Sequence, residues 1–221
     1  MIALVIDAST YDGDVAVIDE TRVLAERRTV MRDALHERLM PAVADALEAA
    51  GVDIARLDRV VCGAGPGSFT SLRIAASIAK GIAMATDTPL FAISSLALLV
   101  GGTDLAPGRY VAALDALRGE FYVGLFDVDE ARSVIEVQPA RLIAADQLES
   151  LSASLGAIVV TPSDVGGAVR ASPRARAALK LGHLIDRDGC VDVSAWEPAY
   201  GRLAEAQVRW EAAHGVPLPT Q

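Results

Sequence analysis

The chain has 221 residues, of which 52% are hydrophobic, and a formal net charge of −9. This length and composition suffice for one large domain or two small ones with real cores. The negative charge argues against autonomous nucleic-acid binding, which needs clustered lysine and arginine side chains. Two cysteines exclude a disulfide framework, and an N-terminus that reads MIALVID has no secretory leader, so we expect a cytoplasmic protein without membrane association.

The first hundred residues have the pattern of three strands followed by alternating helices and strands. Leucine and valine recur every four residues over 34–50, which predicts a helix that either begins near Pro41 or kinks there. A second long helix is predicted over 70–85 and a short one over 94–100. Strands are predicted at residues 2–6, 14–19, 22–29, 57–63 and 89–93.

The segment GGTDLAPG at 101–108 marks a boundary, after which the same pattern returns more weakly. Its strands are predicted at 110–114, 120–127, 133–137 and 157–160, and its helices at 144–155, 173–186 and 198–214. We therefore expect an α/β protein of two tandem βββαβα lobes, the ribonuclease H-like architecture of actin, sugar kinases and heat-shock chaperone ATPases. The N-terminal lobe is predicted over 1–105, completed by a C-terminal helix at 197–215, and a degenerate second lobe over 106–190.

The most distinctive stretch, residues 63–73, reads GAGPGSFTSLR between a predicted strand and a predicted helix. Its glycines let the backbone turn sharply, and Ser68 or Thr70 can cap the helix that follows. Such a turn either holds a phosphate at the helix N-terminus or lets the helix pack closely, and the residues alone leave both readings open.

Polar residues also end the first strand of each predicted lobe: Asp7 with Ser9 and Thr10, and Asp115 with Arg118. Carboxylates and hydroxyls at such places suit magnesium or phosphate, although plain capped turns use the same residues. In the actin-like architecture a nucleotide lies between the lobes, so weak nucleotide binding is the corresponding expectation. The phosphate- or nucleotide-proximal candidates are Asp7, Ser9, Thr10, Gly65, Gly67, Ser68, Asp115 and Arg118.

The predicted helix over 70–85 is unusually rich in small side chains. Three isoleucines share one face, which we assign to the core, whereas Ser71, Ala75, Ala79 and Ala83 share a small uncharged face. This second face either packs within its own lobe or docks against another helix.

The histidines His36, His183 and His214 lack the i, i+4 spacing of a two-histidine metal site, so neither a metal site nor a catalytic residue is predicted. Cys62 lies in an apolar strand and is expected to be buried and inert. The basic residues of 170–180 suit a solvated helix face better than an RNA contact.

Five segments resemble the TsaB (YeaZ) family. GPGSFTSLR at 65–73 is similar to the family signature GPGSFTGxR, and DALRGEFY at 115–122 is similar to its hairpin DARxGEVY. IDAST at 6–10, ERLMP at 37–41 and PAYGR at 198–202 resemble further family motifs. The chain departs at Ser71, Leu117 and Gly201, where glycine, arginine and leucine are usual, and at Leu35, where the family often has histidine.

The resemblance implies a non-catalytic paralogue of the transferase TsaD that supports formation of N6-threonylcarbamoyladenosine in tRNA. Family members pair with TsaD and the small ATPase TsaE, so tRNA, ATP and metal belong to the partners and this chain needs no cofactor. The implied interface uses the helices at 34–50 and 70–85, through which the chain also forms a homodimer when the partner is missing. The interface residues are Leu35, Leu39, Ser71, Arg73, Ala75, Ala76, Ala79 and Ala83.

Two alternative functions are compatible with parts of the sequence. An ATP-dependent kinase or ATPase of the actin-like superfamily would use Asp7 and Asp115 to position magnesium and water. Against it, no Gly-Gly adenosine motif precedes the last predicted helix. A peptidase ranks a distant third, because the sequence has neither metal-ligand spacing nor a nucleophile elbow.

Overall fold

The computed structural model describes residues 1–31 and 37–200. Its strands are β1 (Ala3–Asp7), β2 (Asp12–Ile18), β3 (Val23–Val30), β4 (Arg59–Gly63), β5 (Leu90–Ile93), β6 (Gly108–Asp115), β7 (Glu120–Val128), β8 (Val134–Ala144), β9 (Ile158–Thr161) and β10 (Val169–Arg170). Its α-helices are α1 (Leu39–Ala50), α2 (Phe69–Thr86), α3 (Ser95–Gly101), α4 (Gln147–Leu155) and α5 (Gly182–Asp186). Within this part of the chain, no helix has the length and apolarity that crossing a membrane requires.

The ten strands form two five-stranded sheets of the same topology. The first sheet has the order β3-β2-β1-β4-β5, and the second has the order β10-β9-β6-β7-β8. In each sheet, three strands joined by short turns pair antiparallel, and the strands that follow add in parallel beside the first of them. This arrangement confirms the predicted α/β fold with two similar lobes.

The alternation of side chains in β1 separates the two faces of the first sheet. Leu4 and Ile6 pack with Val43 of α1 and Ala79 of α2, so both helices cover the outer face. Val5 points to the opposite face and belongs to a second core cluster that includes α3. The first sheet is therefore covered by helices on both sides, as its nearly continuous apolar strands require.

Helix α3 lies between the two sheets and is buried along its whole length. Leu96 and Leu99 share one cluster with Val5 of the first sheet and with Phe126 and Val160 of the second. On the far side of the second sheet, a smaller cluster packs α4 against β6, β7 and β9. The molecule is thus built in layers, from α1 and α2 through the first sheet, α3 and the second sheet to α4.

The segment after β10 returns to the first sheet, although residues up to 190 were predicted to belong to the second lobe. The backbone amide of Ala175 donates to Asp14 Oδ1 at 2.8 Å, and Arg59 pairs with Asp186 at 2.8 Å. The predicted helix over 173–186 is also wrong. A 3₁₀ helix (Ala175–Lys180) and the short α5 replace it. The alanines of the 3₁₀ helix are buried in the core, and the helical hydrogen bonding is interrupted at Leu181.

Of two further boundaries, one agrees with a predicted reading and one differs from the prediction. Helix α1 begins at Leu39, with Pro41 in its first turn, which confirms the reading that the helix starts near this proline. The Glu37 carboxylate fixes this start by accepting the amides of Leu39 and Met40. Strand β8 continues to Ala144 beyond its predicted end at residue 137. The predicted helix over 198–214 lies outside the described residues from position 201 onward, as does Leu35.

Candidate functional site

The glycine-rich loop lies directly against the end of β1. Ser68 N donates to the Ser9 carbonyl at 2.7 Å, and a Cβ atom on Gly67 would lie 2.1 Å from that same oxygen. Glycine is therefore required at position 67 by the close approach of two backbones. Ser68 occupies the N-cap of α2, but its hydroxyl contacts Ser71 Oγ at 3.0 Å and makes no capping bond.

Asp7 is buried and anchors this loop to two other elements. Its Oδ2 accepts the Ser9 hydroxyl at 2.8 Å and the Ser9 amide at 3.1 Å, while its Oδ1 accepts the Ser95 hydroxyl at 2.6 Å. Ser95 Oγ in turn accepts the Gly65 amide at 3.1 Å. Burial raises the pKa of Asp7, although these donors act in the opposite direction. Both carboxylate oxygens of Asp7 thus hold the loop in place. Asp7 and Gly65 were predicted to lie near a phosphate or nucleotide, but neither residue lines the neighbouring cleft.

A cleft of about 800 Å³ opens where the loop faces the second sheet. Six of the eight predicted ligand-proximal residues line it, and the structure brings them together from three chain segments. They are Ser9, Thr10, Gly67, Ser68, Asp115 and Arg118. The first turn of α2 also opens into the cleft, so its free amides contribute a partial positive charge there.

The charged side chains of the cleft are mostly acidic. Asp12, Asp115 and Glu120 supply three carboxylates, and Arg118 supplies one guanidinium, so the lining has an excess of negative charge. For an anionic ligand, this negative charge counteracts the attraction of the N-terminus of α2. The lining therefore favours a neutral or cationic ligand. Asp115 Oδ1 accepts the amide of Leu117 at 2.7 Å and so also acts as a turn residue.

The turn between β6 and β7 forms one edge of the cleft. Leu117 and Arg118 have φ of 62° and 56°, followed by Gly119 at 75°. Two successive non-glycine residues in the left-handed region cost about 1–3 kcal/mol each, so the rest of the hairpin must hold them there. This conformation leaves the Leu117 side chain 55% exposed at the cleft.

Four aromatic residues of the cleft, Tyr11, Phe69, Tyr122 and Tyr200, were not among the predicted site residues. Phe69 and Tyr200 stack with ring centroids 4.5 Å apart, and Tyr122 Oη donates to the Tyr200 carbonyl at 3.2 Å. Tyr122 and Tyr200 lie within two of the family-like motifs, so those motifs were the signal that could have identified them. Burial and the nearby Glu197 raise the pKa of Tyr200 to about 12.

The small face of α2 is a core face, which corrects its assignment to a partner interface. Ala75, Ala79 and Ala83 are at most 2% exposed and pack in the same cluster as β1 and β4. Ser71 and Ala76 are also buried. Their small side chains let the helix approach the sheet closely, and no partner can reach them without unfolding the lobe. Leu39 of α1 is likewise buried in this cluster, whereas Arg73 is exposed.

The exposed side of α2 is also almost free of charge. Ser77, Gly81 and Met84 are exposed, Met84 at 72%, and Ile74 and Ile78 are only half-buried. Arg73 begins this side, with its guanidinium 5.2 Å from the Phe69 ring centroid. We define these six residues, Arg73, Ile74, Ser77, Ile78, Gly81 and Met84, as the outer face of α2.

Cys62, His183 and Arg174 are engaged in structural contacts, whereas the Cys190 thiol is free and exposed. Burial raises the pKa of the Cys62 thiol far above its usual range, as expected for an inert core cysteine. His183 Nε2 lies 2.8 Å from the Val134 carbonyl. Arg174 of the basic stretch pairs with Asp14 and Glu26 rather than facing solvent alone. Residues 1–31 and 37–200 contain no group of three or more metal-ligating side chains.

Comparisons with known proteins identify relatives along the whole chain. The family model of TsaD, tRNA N6-adenosine threonylcarbamoyltransferase, matches residues 25–158. The chain is 30% identical to the tRNA threonylcarbamoyladenosine biosynthesis protein TsaB of Bacillus subtilis, over 95% of this chain and 98% of that protein. It is 33% identical to TsaB of Escherichia coli, over 58% of this chain and 55% of that protein.

Two solved structures show the same fold at similar length. YeaZ from Pseudomonas aeruginosa has a TM-score of 0.73 and 26% identity, covering 90% of this chain and 100% of that one. An uncharacterized protein with similarity to peptidase YeaZ from Pseudomonas aeruginosa has a TM-score of 0.77 and 26% identity, covering 91% and 99%. With the two-lobe fold and near full-length matches in place, the chain belongs to the TsaB (YeaZ) family of tRNA threonylcarbamoyladenosine biosynthesis proteins.

Proposed function

We propose that the chain is a non-catalytic subunit that binds a TsaD-like transferase and activates it for threonylcarbamoyladenosine formation in tRNA. TsaE-like ATPase is the second expected partner, and tRNA is reached through the complex. The outer face of α2 carries this proposal, because its six residues carry one charge, and the neighbouring Lys80 is half-buried and paired with Glu197 at 3.4 Å.

The helix beside it extends this face. Met40 of α1 is 42% exposed and Ala44 is exposed beside it, whereas Asp45 and Glu48 add charge to the rest of the exposed side of this helix. Both helices cover the outer side of the first sheet, so together they offer two adjacent ridges to a helical partner. A specific interface needs about 800 Å² from each partner, which two exposed helix faces can supply.

The match of the TsaD family model supports the paralogue relation on which this proposal depends. Two related actin-like chains that expose equivalent helices can pair through them with approximate two-fold symmetry. The same geometry would let two copies of this chain pair when the transferase is absent.

The test is in vitro modification of tRNA with TsaD, TsaE, the threonylcarbamoyl-adenylate synthase, ATP, threonine and bicarbonate, with and without this chain. We expect modified adenosine only when the chain is present. Unchanged modification without the chain would contradict the proposed role. Activity of the chain without TsaD would contradict its being non-catalytic.

An ATPase is the second candidate, and the cleft beside the N-terminus of α2 is the observation in its favour. Against it, Asp7, the residue expected to position magnesium, has both oxygens occupied by serine donors and the Ser9 amide. Hydrolysis of ATP by the purified chain, lost on Asp115→Ala, would favour this candidate over the subunit role.

A further inference from the structure

One aromatic ring connects the outer face of α2 to the cleft. The Arg73 guanidinium of the outer face lies 5.2 Å from the centroid of the Phe69 ring, and this centroid lies 4.5 Å from that of the Tyr200 ring. Phe69 and Tyr200 line the cleft, whereas Arg73 does not. The surface that is proposed to meet the partner is therefore separated from the cleft by the thickness of a single side chain.

Tyr200 extends this contact to the second lobe. Its carbonyl accepts the hydroxyl of Tyr122 at 3.2 Å, and Tyr122 is only 4% exposed. Its own hydroxyl donates to Glu197 at 2.6 Å, and Glu197 lies 3.4 Å from Lys80 of α2. Both lobes thus hold Tyr200, and a continuous series of contacts runs from Arg73 to a buried residue of the second sheet.

The contact of Arg73 with Phe69 depends on the access of water. Arg73 is exposed in the isolated chain, and its guanidinium lies within the distance of a cation–π interaction. Such an interaction becomes stronger once water is excluded from the charge. A partner that covers the outer face of α2 therefore tightens the stack of Arg73, Phe69 and Tyr200. A tighter stack in turn favours the bound partner, because coupling between two sites is reciprocal.

The turn between β6 and β7 is the element of the second lobe that responds to this stack. Tyr122 is the third residue of β7 and follows the turn closely. Leu117 and Arg118 occupy the left-handed region there, and such residues keep this conformation only where the surrounding contacts hold them. The bond from Tyr122 to Tyr200 is one of the contacts beside the turn, so exchange of the turn amides reports on it.

We propose that binding of the TsaD-like partner to the outer face of α2 is coupled to the cleft and the second lobe through Arg73, Phe69, Tyr200 and Tyr122. This coupling rests on the proposed function, since it requires a partner on the outer face. It goes beyond that function, because a tyrosine of the second lobe that is too buried to touch the partner then contributes to the affinity.

The test is a double-mutant cycle in the full-length chain, with the affinity for the purified TsaD-like partner as its readout. The cycle combines Tyr122→Phe, which removes the hydroxyl bonded to Tyr200, with Phe69→Leu, which removes the ring beneath Arg73. The matched control is Tyr110→Phe, because Tyr110 is an equally buried tyrosine of the second sheet whose hydroxyl donates to a backbone carbonyl outside the cleft. Urea unfolding verifies that each variant is folded.

We expect Tyr122→Phe to weaken partner binding about fivefold and Tyr110→Phe to leave it unchanged. In the Phe69→Leu chain, Tyr122→Phe should have no further effect, because the series of contacts is already broken. Unchanged affinity of Tyr122→Phe, an equal loss in Tyr110→Phe, or additive losses in the cycle would each overturn the coupling alone. A parent chain that does not bind the partner would overturn the proposed function and the coupling with it.

Hydrogen exchange gives a second measurement that does not depend on the affinities of variants. With saturating partner, we expect the amides of residues 117–120 to exchange about five times more slowly in the parent chain and at an unchanged rate in the Tyr122→Phe chain. Equal slowing in both chains would overturn the coupling in favour of direct contact between the partner and the turn. No slowing in the parent chain would overturn it as well.

Discussion

Asp7 and Asp14 are two buried carboxylates directly opposite each other on β1 and β2. Asp7 is held by serine donors, whereas Asp14 accepts the Ala175 amide and lies 3.0 Å from Arg174 Nε. Asp14 Oδ2 takes no well-aligned hydrogen bond in spite of this ion pair. Desolvation by burial therefore dominates and raises the pKa of Asp14 to about 6, against the Ala175 amide and the Arg174 charge.

Asp14→Asn should flatten the pH dependence of stability. Because burial raises the pKa of Asp14 in the folded chain to about 6, above the usual range of an aspartate, the folded chain binds the proton more tightly than the unfolded chain does. Protonation of Asp14 contributes up to about 3 kcal/mol to the free energy of unfolding. This contribution is complete below about pH 4 and is lost as the pH rises through about 6. Urea unfolding at pH 4.5 and pH 7.5 should show a smaller difference for Asp14→Asn than for the parent chain. An equal difference in both would contradict the assignment, and Asp45→Asn on the exposed side of α1 is the control.

Gly67→Ala should destabilise the chain by about 1–3 kcal/mol, because its Cβ would overlap the Ser9 carbonyl at 2.1 Å. Gly81→Ala is the matched substitution, since a Cβ at Gly81 meets nothing within 4 Å and the residue lies within α2. There alanine should stabilise the helix by about 0.5–1 kcal/mol. Urea denaturation of both variants measures the contrast, and loss of stability at both positions would rule out the close-approach explanation.

The sequence predicted six of the twenty described residues that line the cleft, in part because polar side chains at strand ends gather at one edge of a sheet. Ser9 and Asp115 are of this kind, and both line the cleft. Asp7 stands at an equivalent strand end, yet it turns to Ser95, which lies 88 residues further along the chain. A local pattern holds no information on such a distant hydroxyl, so the anchoring role of Asp7 could not be inferred.

At the level of elements, α2 shows why periodicity alone misassigned a face. Its isoleucine face and its alanine face are both apolar, so the hydrophobic pattern does not distinguish the core side from the outer side. Both faces contact the same core: Ala79 is fully buried and Ile82 is 5% exposed, as predicted for the isoleucines, whereas Ile74 and Ile78 pack against this core but remain half-buried. Bulky substitution at Ala79 therefore tests folding and not partner binding.

Met84→Asp should weaken binding to a TsaD-like partner at least tenfold while leaving the fold intact. It places a negative charge near the C-terminal end of the outer face of α2, where the native side chain is apolar and 72% exposed. Ser150→Asp adds the same charge to the exposed side of α4 and should leave affinity unchanged. Calorimetric titration of both variants against the partner measures the difference. Unchanged affinity of Met84→Asp, with a native circular dichroism spectrum, would exclude this end of α2 from the interface.

At the scale of the whole molecule, α3 packs against both sheets and joins the two lobes in one hydrophobic core. Leu99 is fully buried and shares a cluster with residues of both sheets, and the segment around Arg174 returns from the second sheet to the first. The sequence predicted two lobes from the repeated strand pattern, but it placed their boundary by composition. The common core was not visible in that pattern, because apolar strands look alike whichever layer they face.

Leu99→Ala should therefore destabilise both lobes together, by about 2–5 kcal/mol, with one unfolding transition. Its side chain contributes to the layer between the sheets, so the resulting cavity removes contacts from each of them. Native-state hydrogen exchange gives separate readouts from the amides of β4 in the first sheet and β7 in the second. Equal loss of protection in both strands is expected, since neither sheet retains a covered inner face once α3 detaches. Loss confined to β4 would mean that the second sheet folds on its own, and would replace the single cooperative unit with two independent lobes.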